Sequence, residues 1–135
     1  MKKIFRAVWM YAVFGLTAGV FYREFTKMNG FTEKTMLSNV HVHAIVMGTL
    51  FFLIVLVLNK LFDLEANKRF NFWYWFYNIS MVGVLATMVI RGLYEVASIE
   101  AASFAHIAGT THTLAAVALI WFMVIVKKAV FKKES

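Results

Sequence analysis

Residues 37–60 read LSNVHVHAIVMGTLFFLIVLVLNK, a run free of Asp, Glu, Lys and Arg from Leu37 to Asn59 that closes on Lys60. A helix rises about 1.5 Å per residue and a bilayer core is about 30 Å thick, so about 20 apolar residues suffice to cross it. The stretch is therefore expected to be a membrane-spanning helix over Leu37 to Leu58, with two histidines inside it. The same criterion picks out Phe5 to Tyr22, Phe72 to Ile90 and Phe104 to Val126. The connections carry the polar residues, including Asn29-Gly30 as a turn signal. The expected fold class is all-α: one domain, an integral membrane four-helix bundle.

Composition agrees. Of 135 residues 61% are hydrophobic and 16% charged, and the mean hydropathy is +0.71, whereas a soluble domain is nearer half apolar and a quarter charged. The chain has no proline, so the helices are expected to run without interruption. It has no cysteine, which argues against a disulfide scaffold, a thiolate metal site and a cysteine nucleophile. There is no phosphate-binding glycine loop after a strand, no Ser/His/Asp set and no pair of carboxylates placed for acid–base work.

The net charge of +7 would suggest nucleic acid in a soluble protein, but here the cations flank apolar helices. Alternating the sides puts Lys2, Lys3, Arg6, Lys60, Lys68, Arg69, Lys127, Lys128, Lys132 and Lys133 on one side, and Arg23, Lys27, Lys34 and Arg91 on the other. By the positive-inside rule both termini are expected in the cytoplasm, in a multi-pass protein of the cell membrane such as a bacterial inner membrane. Trp73, Tyr74, Trp75 and Tyr77 would mark the inner interface, Tyr22 and Tyr94 the outer one. The first span lacks a small-residue cleavage site and is read as an uncleaved helix rather than a signal peptide. The sequon Asn78-Ile79-Ser80 lies inside a span and is discarded. Gly15 and Gly19 form a GxxxG that serves either close helix contact or room for a flat ligand.

All four histidines, His41, His43, His106 and His112, fall in spans. An ionisable side chain in hydrocarbon is costly unless partnered, so each is a functional candidate. Counting back from Lys60 and Lys127, His43 and His112 lie at nearly the same depth, near 25 Å from the lysines at about 1.5 Å per residue. His41 and His106 form a second matched level, about one turn nearer the outer surface. At about 100° per residue, His41 and His43 point about 200° apart and His106 and His112 about 120° apart, so neither pair chelates from one helix face. Two imidazoles at one level on separate helices suit a flat macrocycle standing between them. Haem b iron fits this better than zinc or copper, which want three or four converging ligands. Arg91 and Arg23 end spans just above that level and are candidates for the haem propionates, with snorkelling or pairing to Glu95 and Glu24 as the plain alternative.

The segment LSNVHVHAIVMG, Leu37 to Gly48, resembles the HxH-plus-glycine helix of the haem-copper oxidase and nitric oxide reductase superfamily, including small four-helix proteins related to its catalytic subunit. The fourth span, FAHIAGTTHTLAAVALIWF from Phe104 to Phe122, resembles a histidine helix of a family of short bacterial membrane proteins. The likeness covers the second and fourth spans. It implies haem b ligation and a homo-oligomer, such as a trimer rebuilding twelve helices. The adjacent His-His pair and the tyrosine arrangement associated with copper and oxygen reduction are missing, so that activity is not implied. The expected function is therefore electron transfer, with a quinone or an external donor as partner, or binding of a diatomic gas. A histidine-lined transporter of protons or metal ions and a structural or assembly subunit remain the alternatives.

Overall fold

The computed structural model describes residues 1–99 and 102–134, with side chains placed for 1–99 and 104–131. Glu100 and the side chains of Lys132 and Lys133, part of the charge count, lie outside the described residues. All the regular structure among the described residues is helical: α1 (Lys2–Met28), α2 (Leu37–His43), a π-helical stretch (Ala44–Leu50), α3 (Phe51–Phe62), a 3₁₀ turn (Leu64–Ala66), α4 (Lys68–Val96) and α5 (Ala102–Glu134). Because α2, the π-helical stretch and α3 follow without a break, they form one rod. Four helices are thus long and apolar enough to cross a membrane. Each extends past the span expected from hydropathy, because polar flanks continue a helix where no proline stops it.

Chain breaks are built by recognisable caps. At the end of α1 the Gly30 N–H bonds the Lys27 carbonyl and the Phe31 N–H the Thr26 carbonyl, with Gly30 at φ 61°, the left-handed cap that glycine favours. At the end of α4 the same bond pattern joins Ser98 to Glu95 and Ile99 to Tyr94, but here Ser98 holds φ 55° without glycine's freedom.

The helix α4 lies at the centre, buried on several faces from Phe70 to Gly92. Along α5, Phe104, Ala108 and Thr111 are partly buried and Ala115, Ala118, Phe122 and Ile125 follow in alternating steps of four and three, the spacing of helices packed side by side at a shallow angle. The dense part of the core is aromatic and lies toward the end that carries both termini. Trp73 stacks on Phe122 with ring centres 4.6 Å apart, Phe51 meets Tyr77 at 4.7 Å, and the Trp73 indole N–H donates to the Ala118 carbonyl at 2.8 Å. Outward faces carry Trp9, Leu16, Val20, Ile79 and Ile120, all well exposed, so the outside of the bundle is strongly apolar.

The terminal end is also clamped electrostatically. Glu65 accepts from the amino terminus and from Asn59 Nδ2 at 3.1 Å, while Lys3 Nζ stands 3.6 Å from the same carboxyl and bonds Asn71 Oδ1 at 2.9 Å.

Candidate functional site

Two histidines meet where α2 and α5 part. Each of these helices packs on α4, and α2 also on α1, but no extended seam joins α2 to α5. His43, at the last turn of α2, and His112, beside the buried seam of α5, project into this gap with ring centres 6.3 Å apart and planes at 79°. The shared depth read from the sequence thus corresponds to actual proximity. The imidazoles are fixed in the same way: His43 Nδ1 lies 3.0 Å from the Asn39 carbonyl and His112 Nδ1 lies 2.8 Å from the Ala108 carbonyl. A carbonyl only accepts, so the hydrogen bonds assign the proton to Nδ1 and leave the Nε2 lone pair outward in both rings. That is the orientation a backbone carbonyl imposes on a metal-ligating histidine.

A cavity of about 130 Å³ lies between them. Its wall on α4 is Thr87, Met88 and Arg91, and Met36 closes it from the start of α2. The Thr87 hydroxyl is turned back to the Gly83 carbonyl at 3.0 Å and is not free for a ligand. Glu95 organises the rim. One of its oxygens receives Arg91 Nε at 3.2 Å and the other the Met36 backbone N–H at 2.6 Å, so the residue that holds the guanidinium at the cleft also caps α2.

The other candidates are elsewhere. His41 packs on α1, where a Cβ added at Gly19 would sit 3.6 Å from its ring. Its buried Nδ1 has no hydrogen-bond partner, which favours the tautomer with the proton on Nε2, opposite to His43 and His112. His106 is exposed on α5, and the structure does not bring it to His41. Gly15 faces Ile45 and Ala44, so both glycines of the GxxxG lie in the seam between α1 and the second rod and not in the cleft. Arg23 pairs with neighbouring Glu24 at 3.7 Å on an exposed surface and does not reach the cavity.

Below His43 the rod departs from the uninterrupted α-helix expected of a proline-free span. Over Ala44–Leu50 it is π-helical, a geometry that accommodates an extra residue and is frequent beside functional sites. Its supports are two tyrosines. A Cβ at Gly48 would lie 2.3 Å from Tyr11 Cγ, so the ring of Tyr11 occupies the space a side chain would need. Its hydroxyl donates to Asn78 Oδ1 at 3.0 Å. From the other side the Tyr77 hydroxyl donates to the Met47 carbonyl at 2.6 Å.

Sequence reading missed Asn39, Met36, Met88 and Thr87 in the cleft. The four-residue step from Asn39 to His43 and from Ala108 to His112 is visible in the sequence, but any helix offers it. Among the described residues no group of three or more His, Cys, Asp or Glu converges on a common point.

A family model described as "Protein of unknown function (DUF2871)" matches residues 1–129. None of the curated proteins and none of the solved structures compared with the chain matches it.

Proposed function

We propose that this chain, which belongs to the DUF2871 family, is a multi-pass protein of the cell membrane that holds haem b between His43 and His112 and uses it in electron transfer. The observation that carries the reading is the facing pair of imidazoles, each with Nδ1 tied to a backbone carbonyl and Nε2 left as a ligand. With a metal–nitrogen bond of about 2.0–2.1 Å, two imidazoles on opposite sides of one ion have centres about 6.4 Å apart. The separation of 6.3 Å agrees. The cavity of 130 Å³ is far smaller than a macrocycle, so α2 and α5 would have to part further to admit one, between a half-buried His43 and an exposed His112. Arg91 at the rim supplies a cation for a propionate. Bound there, haem would supply a one-electron couple, held by His43 from α2 and His112 from α5, and retention by two imidazoles favours electron transfer over gas binding. The excess of cations at the end bearing the termini supports a cytoplasmic position for that end, which would put the histidine pair in the outer half of the bilayer, within reach of a quinone or an external donor.

The test is the absorption spectrum of the purified protein, with a pyridine haemochrome count per chain. A Soret band lost or shifted in both His43→Ala and His112→Ala is expected. A protein that stays colourless when expressed with ample haem, and blank after reconstitution, overturns the reading.

One observation favours a second ligand. Met36 and Met88 line the same cavity as the two imidazoles, and two thioethers with two imidazoles form a soft donor set suited to copper(I). Copper retained by the wild type and released by Met36→Leu with Met88→Leu, in a protein without a Soret band, would select it.

A further inference from the structure

At the opposite end of the bundle a larger cavity opens, about 540 Å³. It is enclosed by the last turn of α3, the Asp63–Asn67 connection and the distal part of α5. Lys60 and Lys128 enter it from different helices, and among the described residues neither makes an ion pair. Leu61, Phe62 and Ala129 give the same cavity an apolar wall. Asp63, its single carboxylate among the described residues, stands at φ 47°.

From these features we infer that this cavity is a binding site for the headgroup of an anionic phospholipid, phosphatidylglycerol in type. The phosphate lies between Lys60 and Lys128, and the start of the acyl region lies on the apolar wall. A basic pocket between membrane helices on the cytoplasmic side has the charge and position that anionic headgroups seek. Two lysines against one carboxylate leave a net positive charge, which favours an anionic lipid over a zwitterionic one. The volume admits a phosphate with its glycerol. The inference rests on the membrane reading of the four helices and on the cytoplasmic side of this end; it is independent of haem.

The experiment is native mass spectrometry of the full chain, released from detergent micelles containing equimolar phosphatidylglycerol, phosphatidylethanolamine and phosphatidylcholine. A parallel melting curve is taken with inorganic phosphate alone. Phosphatidylglycerol is expected to be retained preferentially, and each of Lys60→Gln and Lys128→Gln to weaken that retention roughly fivefold. Asp63→Asn should strengthen it, since asparagine tolerates the same left-handed backbone and removes a negative charge. A gain of binding is not a result that misfolding produces. Equal retention of the three lipids, wild-type preference in the folded double lysine variant, or a melting shift by phosphate as large as that by the lipid overturns the proposal.

Discussion

Glu65 gathers the amino terminus, Lys3 and Asn59 around one carboxyl. Partial burial alone raises its pKa, but the hydrogen bonds from the amino terminus and Asn59 and the charges of the terminus and Lys3 outweigh that, and the net value lies below the ordinary carboxylate range. A carboxylate whose pKa is lower in the folded state than in the unfolded one adds stability above its unfolded pKa and loses it as pH falls through the folded value. Wild type is therefore expected to exceed Glu65→Gln in melting temperature at neutral pH, by a margin corresponding to no more than about 1 kcal/mol for so accessible a group. The margin should close as the pH falls through and below the ordinary carboxylate range; a margin independent of pH would dismiss the clamp. Glycines divide in the same way by what surrounds them. Gly48→Ala drives a methyl into the base of the Tyr11 ring and should cost about 1–3 kcal/mol. Gly19→Ala meets only ordinary contact with His41 and should change stability by less than about 0.5 kcal/mol. Chemical denaturation in detergent compares the two directly. The GxxxG spacing points to Gly19 as the close-contact glycine, yet Gly48 is the tighter one; only the identity of the neighbour across the seam ranks them.

At the level of elements, the caps and the rods differ in how readable they are. Asn29-Gly30 announces its turn because glycine is the residue that a left-handed cap favours, and the structure places Gly30 there. Ser98 adopts an equivalent cap with no such signal. Ser98→Gly is accordingly expected to stabilise the end of α4 by roughly 0.5–1 kcal/mol, read as a rise in thermal midpoint; a fall would mean that the serine side chain contributes something the backbone does not reveal. The matched depth of His43 and His112 is legible because helical rise is regular and lysines mark a common level at one end. Which residues of α4 complete the cleft is not legible, because the angle at which α4 faces the gap is set by packing. Arg91 and Arg23 look alike in sequence, each close to a glutamate. A spacing of four lets Arg91 bond Glu95 along the helix at the cleft, whereas Glu24 is adjacent to Arg23 and holds it on the exposed surface.

For the molecule as a whole, hydropathy delivered four long helices because a bilayer demands length and apolarity of each span separately. The pairing of spans follows from side-chain shape, which hydropathy does not record. That aromatic rings fill one end while a cleft stays between α2 and α5 at the histidine end therefore emerges only from packing. Orientation is a matter of charge and is testable with little background, since the chain has no native cysteine. Glu33→Cys is expected to react with an impermeant maleimide added to intact cells or spheroplasts. Ala66→Cys should react only after the membrane is opened. The reverse pattern would turn the protein over and move the histidine pair to the cytoplasmic half.

The π-helical stretch means that the second rod contains one spare residue. A π-turn absorbs its extra residue, so excising a single residue such as Val46 lets the rod close into plain α-helix with the segments on either side facing nearly as before. A one-residue deletion within α3, which has no spare residue to give up, instead turns everything above it by about 100° relative to what lies below. His43 would then leave the cleft, although length, apolarity and every histidine survive. A hydropathy profile could not tell either deletion from its parent, yet an alignment gap one residue wide is harmless to the imidazole pair between His43 and Phe51 and ruinous a few residues further on.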